Sequence, residues 1–143
     1  MAYKQIIIVR KDLDMSPGKS AVQSSHASGM FLINQIRKGY FLGAGVEDYA
    51  CLVKISKGCY REWFQGSYVK AVLKARNKRH LLKAKEMAEE LGMKEGKKFF
   101  LIYDECRTEL VPEEDGKTLT CIGFAPMEES LIDKIGRKYQ LYS

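Results

Sequence analysis

No two of the four cysteines, Cys51, Cys59, Cys106 and Cys121, are spaced as C-x-x-C, and only His26 and His80 can add imidazole ligands. That scarcity argues against a zinc site, which needs clustered Cys, His or carboxylate donors. Thiols without a framework spacing fit free cysteines in a reducing compartment, some packed as small hydrophobes. Long apolar runs are missing too; none approaches the roughly 20 residues of a membrane span. No signal peptide is visible before the first strand-like run. The expectation is a cytoplasmic protein with no membrane partner, no metal and no cofactor. A phosphate-binding P-loop is also lacking. Gly18-Lys19-Ser20 imitates its end, but the glycine required five residues earlier is Leu13.

What is present is a chain of 143 residues, 45% apolar and 29% charged, which reads as one globular domain over residues 1–143. The formal net charge is +6. Such a surplus suits a polyanionic partner such as RNA, and equally a solvated lysine surface.

The pattern along the chain is α/β. Lys4 to Arg10 holds Ile6-Ile7-Ile8-Val9, a run suited to a strand covered on both faces. A helix is expected from about Pro17 to Lys38, with Lys19, Gln23, His26 and Met30 on one side and Val22, Gly29 and Ile33 continuing a buried stripe. On that helix His26 reads as a packed, hydrogen-bonded histidine. Gly39 to Ser67 is the least legible stretch; Cys51 to Ile55 fits a strand or a helical turn. Tyr60, Trp63 and Phe64 are expected to pack on the sheet edge rather than stack with bases. Further strands are read at Val69–Ala75, Lys97–Tyr103 and Thr118–Phe124. Helices are read at Arg79–Leu91 and from Pro126 to Gly136. The order β-α-β-α-β-β-α gives a four-stranded mixed sheet with helices packed on both faces.

Two polar segments carry the chemistry. Ser16-Pro17-Gly18-Lys19 reads as a helix start: Ser16 caps, Pro17 takes the first position, and Lys19 adds a full charge where free N–H groups already favour anions. Asp104-Glu105-Cys106-Arg107-Thr108 puts a carboxylate, a guanidinium and a hydroxyl just after an apolar strand. Together they can bind a phosphorylated substrate and activate water.

These segments resemble the type-2 peptidyl-tRNA hydrolases. The family's V-R-x-D-L-x-M-x-x-G-K-x-A-A-Q-x-S-H-A is matched by Val9 to Ala27, its D-A-G-R-T-x-[IL] by Asp104 to Leu110, and its T-x-T-x-x-G-x-x-P by Thr118 to Pro126. The tail Glu129 to Ile135 agrees as well. The match spans nearly all of the chain except Gly39 to Tyr60. The resemblance implies hydrolysis of the ester joining a peptide to the 3′ ribose of tRNA, without a metal, with peptidyl-tRNA as partner and a homodimer as the assembly. It implies Lys19, Asp104 and Thr108 as catalytic residues, with Gln23, His26, Arg107 and Thr118 around them for substrate binding. Ester hydrolysis needs an activated water and a stabilised oxyanion. Asp104 suits the first task, Lys19 the second, and Thr108 positioning of water or substrate. Arg107 fits a structural ion pair as well.

The departures lie in the second motif. The family's Ala-Gly pair is Glu105-Cys106 here, and a cysteine strains the turn if that position needs a positive φ. Glu113-Glu114-Asp115 adds negative charge shortly before Thr118. Two rival readings follow: a catalytically weak homologue that binds RNA or protein, and an esterase or amidase for another acyl substrate.

Overall fold

Four consecutive β-branched residues place the first strand, β1 (Tyr3–Arg10), at the centre of the fold. Ile6, Ile7, Ile8 and Val9 are each at most 2% exposed. Because alternate side chains of a strand point to opposite faces, Ile6 and Ile8 enter one core and Ile7 and Val9 the other. Burying each contributes about 2 kcal/mol. The computed structural model describes residues 2–143.

Along the chain, β1 is followed by α1 (Pro17–Arg37), β2 (Phe41–Ala44), β3 (Tyr49–Cys51) and the short α2 (Lys57–Cys59), which runs on into a wider helical segment, Tyr60–Ser67. Then come β4 (Lys70–Ala75), α3 (Lys78–Glu90), β5 (Phe99–Asp104), β6 (Thr118–Phe124), β7 (Met127–Glu128), α4 (Glu129–Gly136) and β8 (Gln140–Leu141). The sheet order is β5-β6-β1-β4-β8, with β7 beside β1. β4 runs parallel to β1, whereas β6 and β7 are antiparallel to it. Helices α3 and α4 cover one face through Leu81, Ala84, Ala88, Ile132 and Ile135, and α1 covers the other through Ala27.

The α/β class and the helices on both faces match the sequence reading. The strand count does not: the sheet has six strands instead of four, because β7 and β8 are two-residue pairings too short to leave a periodic signal. Pro126 precedes the last helix instead of opening it; two residues of strand intervene before Glu129. Cys51 ends a strand, and residues 52–55 are irregular. Trp63 is 1% exposed and donates from Nε1 to the Val69 carbonyl at 2.8 Å, while Tyr60 stays exposed.

The buried face of α1 also differs from the expected stripe. Gln23 and Ala27 are buried, whereas Val22 and Ile33 are exposed. The cause is a close approach. A side chain at Gly123 of β6 would lie 2.9 Å from the Ala27 carbonyl carbon and Cβ, so the bare glycine lets the helix backbone settle on the strand at that point. Helix orientation is then fixed around Ala27, and Val22 turns outward.

Candidate active site

The start of α1 forms as its residues dictate. Ser16 Oγ accepts from the Lys19 N–H at 3.2 Å, and Pro17 occupies the first helical position. That cap aims Lys19 at the end of β5. There Lys19 Nζ lies 2.7 Å from Asp104 Oδ1 and 3.2 Å from Thr108 Oγ1. The Lys19 and Asp104 side chains are only 13% and 11% exposed, so this ion pair is shielded far more than a surface pair.

Asp104 is held from three sides. Besides Lys19, Gln23 Nε2 approaches Oδ1 at 3.4 Å, and the Cys106 N–H donates to Oδ2 at 3.0 Å. Gln23 is buried, and its own amide is fixed by Thr120, whose hydroxyl donates to Gln23 Oε1 at 2.6 Å. The carboxylate therefore has a set orientation. It points into a cleft of about 610 Å³ lined on α1 by Lys19, Gln23, His26, Met30, Asn34 and Arg37.

The loop after β5 is fastened at several points. Glu109 accepts from the Ser16 N–H at 2.8 Å and from the Ser16 hydroxyl at 2.7 Å. Those bonds, the backbone one first, hold the Glu109 carboxyl below the usual carboxylate range. Glu113 takes two bonds from Arg10, at 2.7 and 2.9 Å. Hydrogen bonding from Arg10 is the main reason the Glu113 pKa is lowered, against the opposing effect of burial. Thr118 is fully buried beneath this loop, and its hydroxyl donates to the Val111 carbonyl at 2.7 Å.

The structure brings Lys19, Gln23, Asp104 and Thr108 together, with His26 and Arg107 on the cleft wall. His26 is exposed and faces the cleft, so the expected packed histidine is not what forms; the close approach at Ala27 turns its neighbour outward. Arg107 pairs with Glu105 at 3.0 Å, both largely exposed, an interaction worth about 0–1 kcal/mol. Thr118 lies away from the cleft, holding the loop from below. Sequence reasoning missed Arg10, Glu109, Glu113 and Thr120. The repeated threonines of T-x-T were the available signal for Thr120, and the arginine two residues before Asp12 the signal for Arg10. The acidic residues near the second motif are engaged in the fold: Glu109 with Ser16, Glu113 with Arg10, and Glu114 with Lys78 at 3.7 Å.

Cys106 has φ +60°, the left-handed conformation that the sequence comparison made a concern. A non-glycine residue there costs about 1 kcal/mol. The turn forms regardless, because the Cys106 N–H reaches Asp104. Replacing Cys106 by glycine is expected to raise stability by about 1 kcal/mol, or roughly 3 °C in melting temperature. Combined with Glu105→Ala, a similar gain in the barrier would raise kcat/KM about fivefold. Unchanged melting would mean that the Cys106 Sγ contact with Thr118 Oγ1, at 3.4 Å, offsets the strain. Deeper down, burial pushes the Cys121 thiol up to about 12, so it is no thiolate nucleophile near neutral pH.

Comparison with known proteins agrees over the whole chain. The family described as peptidyl-tRNA hydrolase PTH2 matches residues 3–142. A peptidyl-tRNA hydrolase of Methanopyrus kandleri is 37% identical over 134 residues, covering 93% of this chain and 92% of its own length. One from Thermoplasma acidophilum is 32% identical and covers 99% of both chains. A solved structure of a protein of unknown function from Agrobacterium tumefaciens shares the fold, with a TM-score of 0.51 at 13% identity over 100% of this chain and 99% of that one.

Proposed function

The chain belongs to the peptidyl-tRNA hydrolase PTH2 family, and from that premise we propose that it hydrolyses the ester between the peptide and the 3′ ribose of peptidyl-tRNA. The observation that carries the catalytic reading is the shielded Lys19–Asp104 pair with Thr108 beside it. Asp104 takes a proton from water as the water oxygen attacks the ester carbonyl. Lys19 stabilises the oxyanion of the tetrahedral intermediate, aided by the positive end of α1. Collapse breaks the bond to the ribose oxygen, which leaves with the proton from Asp104. The products are the free peptide acid and tRNA with its 3′ hydroxyl restored. Thr108 orients Lys19 and the water; Gln23 fixes Asp104; His26 and Arg107 flank the entering substrate. Thr118 acts on substrate through the loop it supports.

No described helix is long and apolar enough to cross a membrane. The protein acts in the cytoplasm, where its substrate arises. The exposed apolar line Val22, Ile33 and Ile36 on α1 would be covered in a homodimer.

The rival reading as a hydrolase of other acyl substrates leaned on acidic residues near the site, and Glu109 and Glu113 are engaged with Ser16 and Arg10. The purified protein is expected to release peptide from peptidyl-tRNA in the presence of EDTA and to leave simple aminoacyl esters largely intact. Affinity should fall with salt at a log–log slope of about −2 to −4, as a few phosphate contacts release counterions. Preference for simple esters, or no turnover with intact RNA binding, would favour one of the rivals.

A further inference from the structure

Resting on the reading of Lys19 and Asp104 as the ester-cleaving pair, we propose that the peptide of the substrate lies in the groove between α1 and the outer edge of β5, added to the sheet as an extended strand. β5 ends the sheet, with β6 as its only strand neighbour in the sheet order. The Lys98 carbonyl accepts from the Ala125 N–H at 2.9 Å, which makes Phe99 and Phe124 a pair whose own backbone groups point away from each other. Two residues on, Leu101 and Ile122 repeat that arrangement. The N–H and carbonyl of Leu101 therefore face outward, and Leu101 lines the cleft. Among the described residues no partner meets them there. Two residues earlier the edge is closed, because the Phe99 carbonyl accepts from the Gly96 N–H at 2.8 Å.

The open stretch of edge runs straight into the reacting pair. Leu101 is three residues from Asp104, about 10 Å along a strand. An extended peptide whose last carbonyl sits at Lys19 and Asp104 thus brings a residue two to four positions back beside Leu101. Backbone pairing of this kind ignores side-chain identity. A hydrolase for peptides of any sequence needs that property. The floor beneath is Met30, Phe100 and Ile102, apolar and, through Met30, adaptable.

Charge distinguishes this occupant from the RNA. The cleft lining has three cations, Lys19, Arg37 and Arg107, against three carboxylates, Glu95, Asp104 and Glu105. That balance offers no surplus to a phosphate chain, whereas the whole molecule carries +6. The acceptor end of the tRNA therefore approaches from the other side of Lys19, and the peptide continues toward Arg37. From Lys19 to Arg37 is about 27 Å of helix, room for roughly eight extended residues.

The test uses the intact protein and one tRNA esterified with acetylated oligoalanines of one to eight residues. KM should fall about tenfold between one and four or five residues and then level, with kcat nearly constant. N-methylation of single peptide bonds should raise KM about fivefold at one position, two to four residues from the ester, and little elsewhere. A photoreactive residue at that position should crosslink to Met30 or Leu101. Hydrolysis with a KM indifferent to length and methylation overturns the groove and leaves the hydrolase reading standing. No hydrolysis of any member overturns both.

Discussion

Lys19→Ala and Asp104→Asn are each expected to lower kcat/KM for peptidyl-tRNA by about 100-fold or more, roughly 3 kcal/mol of transition-state stabilisation. The reason lies in the geometry. Lys19 Nζ is 2.7 Å from Asp104 in a partly shielded pocket, where charge acts more strongly than at an open surface. Asp104→Asn keeps the shape but removes the proton acceptor, and because its amide nitrogen cannot accept, it gives up the bonds at one of the two oxygens, from Lys19 and Gln23 or from the Cys106 N–H. Lys19→Ala removes the cation facing the oxyanion and leaves Asp104 bonded to the Cys106 N–H. Asp104→Asn should melt within a few degrees of the parent, whereas Lys19→Ala strands a shielded carboxylate and should melt lower, so turnover is compared well below both melting temperatures. Because the two residues act as a unit, the double variant should lose little more than either single one. Near-parental turnover in both single variants would show that the chemistry is elsewhere.

Gln23→Ala separates orientation from chemistry at the same site. Gln23 links Thr120 to Asp104 through one amide. Its removal leaves a cavity and a loosened carboxylate, so a loss in kcat larger than any change in KM marks it as a positioning residue.

The parts of this arrangement legible in the sequence are those with a local signal. Ile6 to Val9 announce a doubly covered strand by composition alone. Ser16 and Pro17 announce the helix start that aims Lys19. The three- and four-residue spacing of Lys19, Gln23, His26 and Met30 gives the cleft wall, and all four line it. What escaped depends on contacts between distant segments. Which side of α1 is buried follows from Gly123, nearly a hundred residues away, so Val22 and Ile33 looked like core and are not. The acidic residues after Asp104 looked like a surplus of charge near an RNA site. Only its partner, Arg10, shows that Glu113 among them fastens the loop. The hairpin of β2 and β3 gave no pattern because neither of its faces is buried. Without a covered side there is no alternation to read.

The fastening of that loop leads to the second large expected effect. Arg10 is 3% exposed, and all five of its guanidinium N–H groups are used: two on Asp12, two on Glu113 and one on the Leu119 carbonyl at 3.0 Å. Burial alone would disfavour its charge, but its bonds to Glu113 and Asp12 outweigh that and raise its pKa. Arg10→Ala strands two carboxylates and a carbonyl and is expected to cost roughly 3 kcal/mol. This is the low end for a buried pair, because Asp12 and Glu113 are each 34% exposed and water can reach them. Melting should fall by about 10 °C. Glu113→Gln keeps one hydrogen bond and should cost less, about 1 kcal/mol. The pH dependence has a definite sign. Arg10 depresses the Glu113 pKa in the folded protein, so this contribution is fully present above the unfolded glutamate value, about 4.3, and is lost as pH falls through the lower folded value. In Glu113→Gln that part of the acid-side decline disappears, and the gap to the parent narrows below pH 4. The same loop starts from Asp104 and carries Thr108, so Arg10→Ala should also lower kcat well before it unfolds the chain. Melting curves from pH 7 to pH 3, with turnover measured at pH 7, decide the matter. A parental melting point in Arg10→Ala, or a gap to Glu113→Gln that widens in acid, would show that this network does not hold the loop.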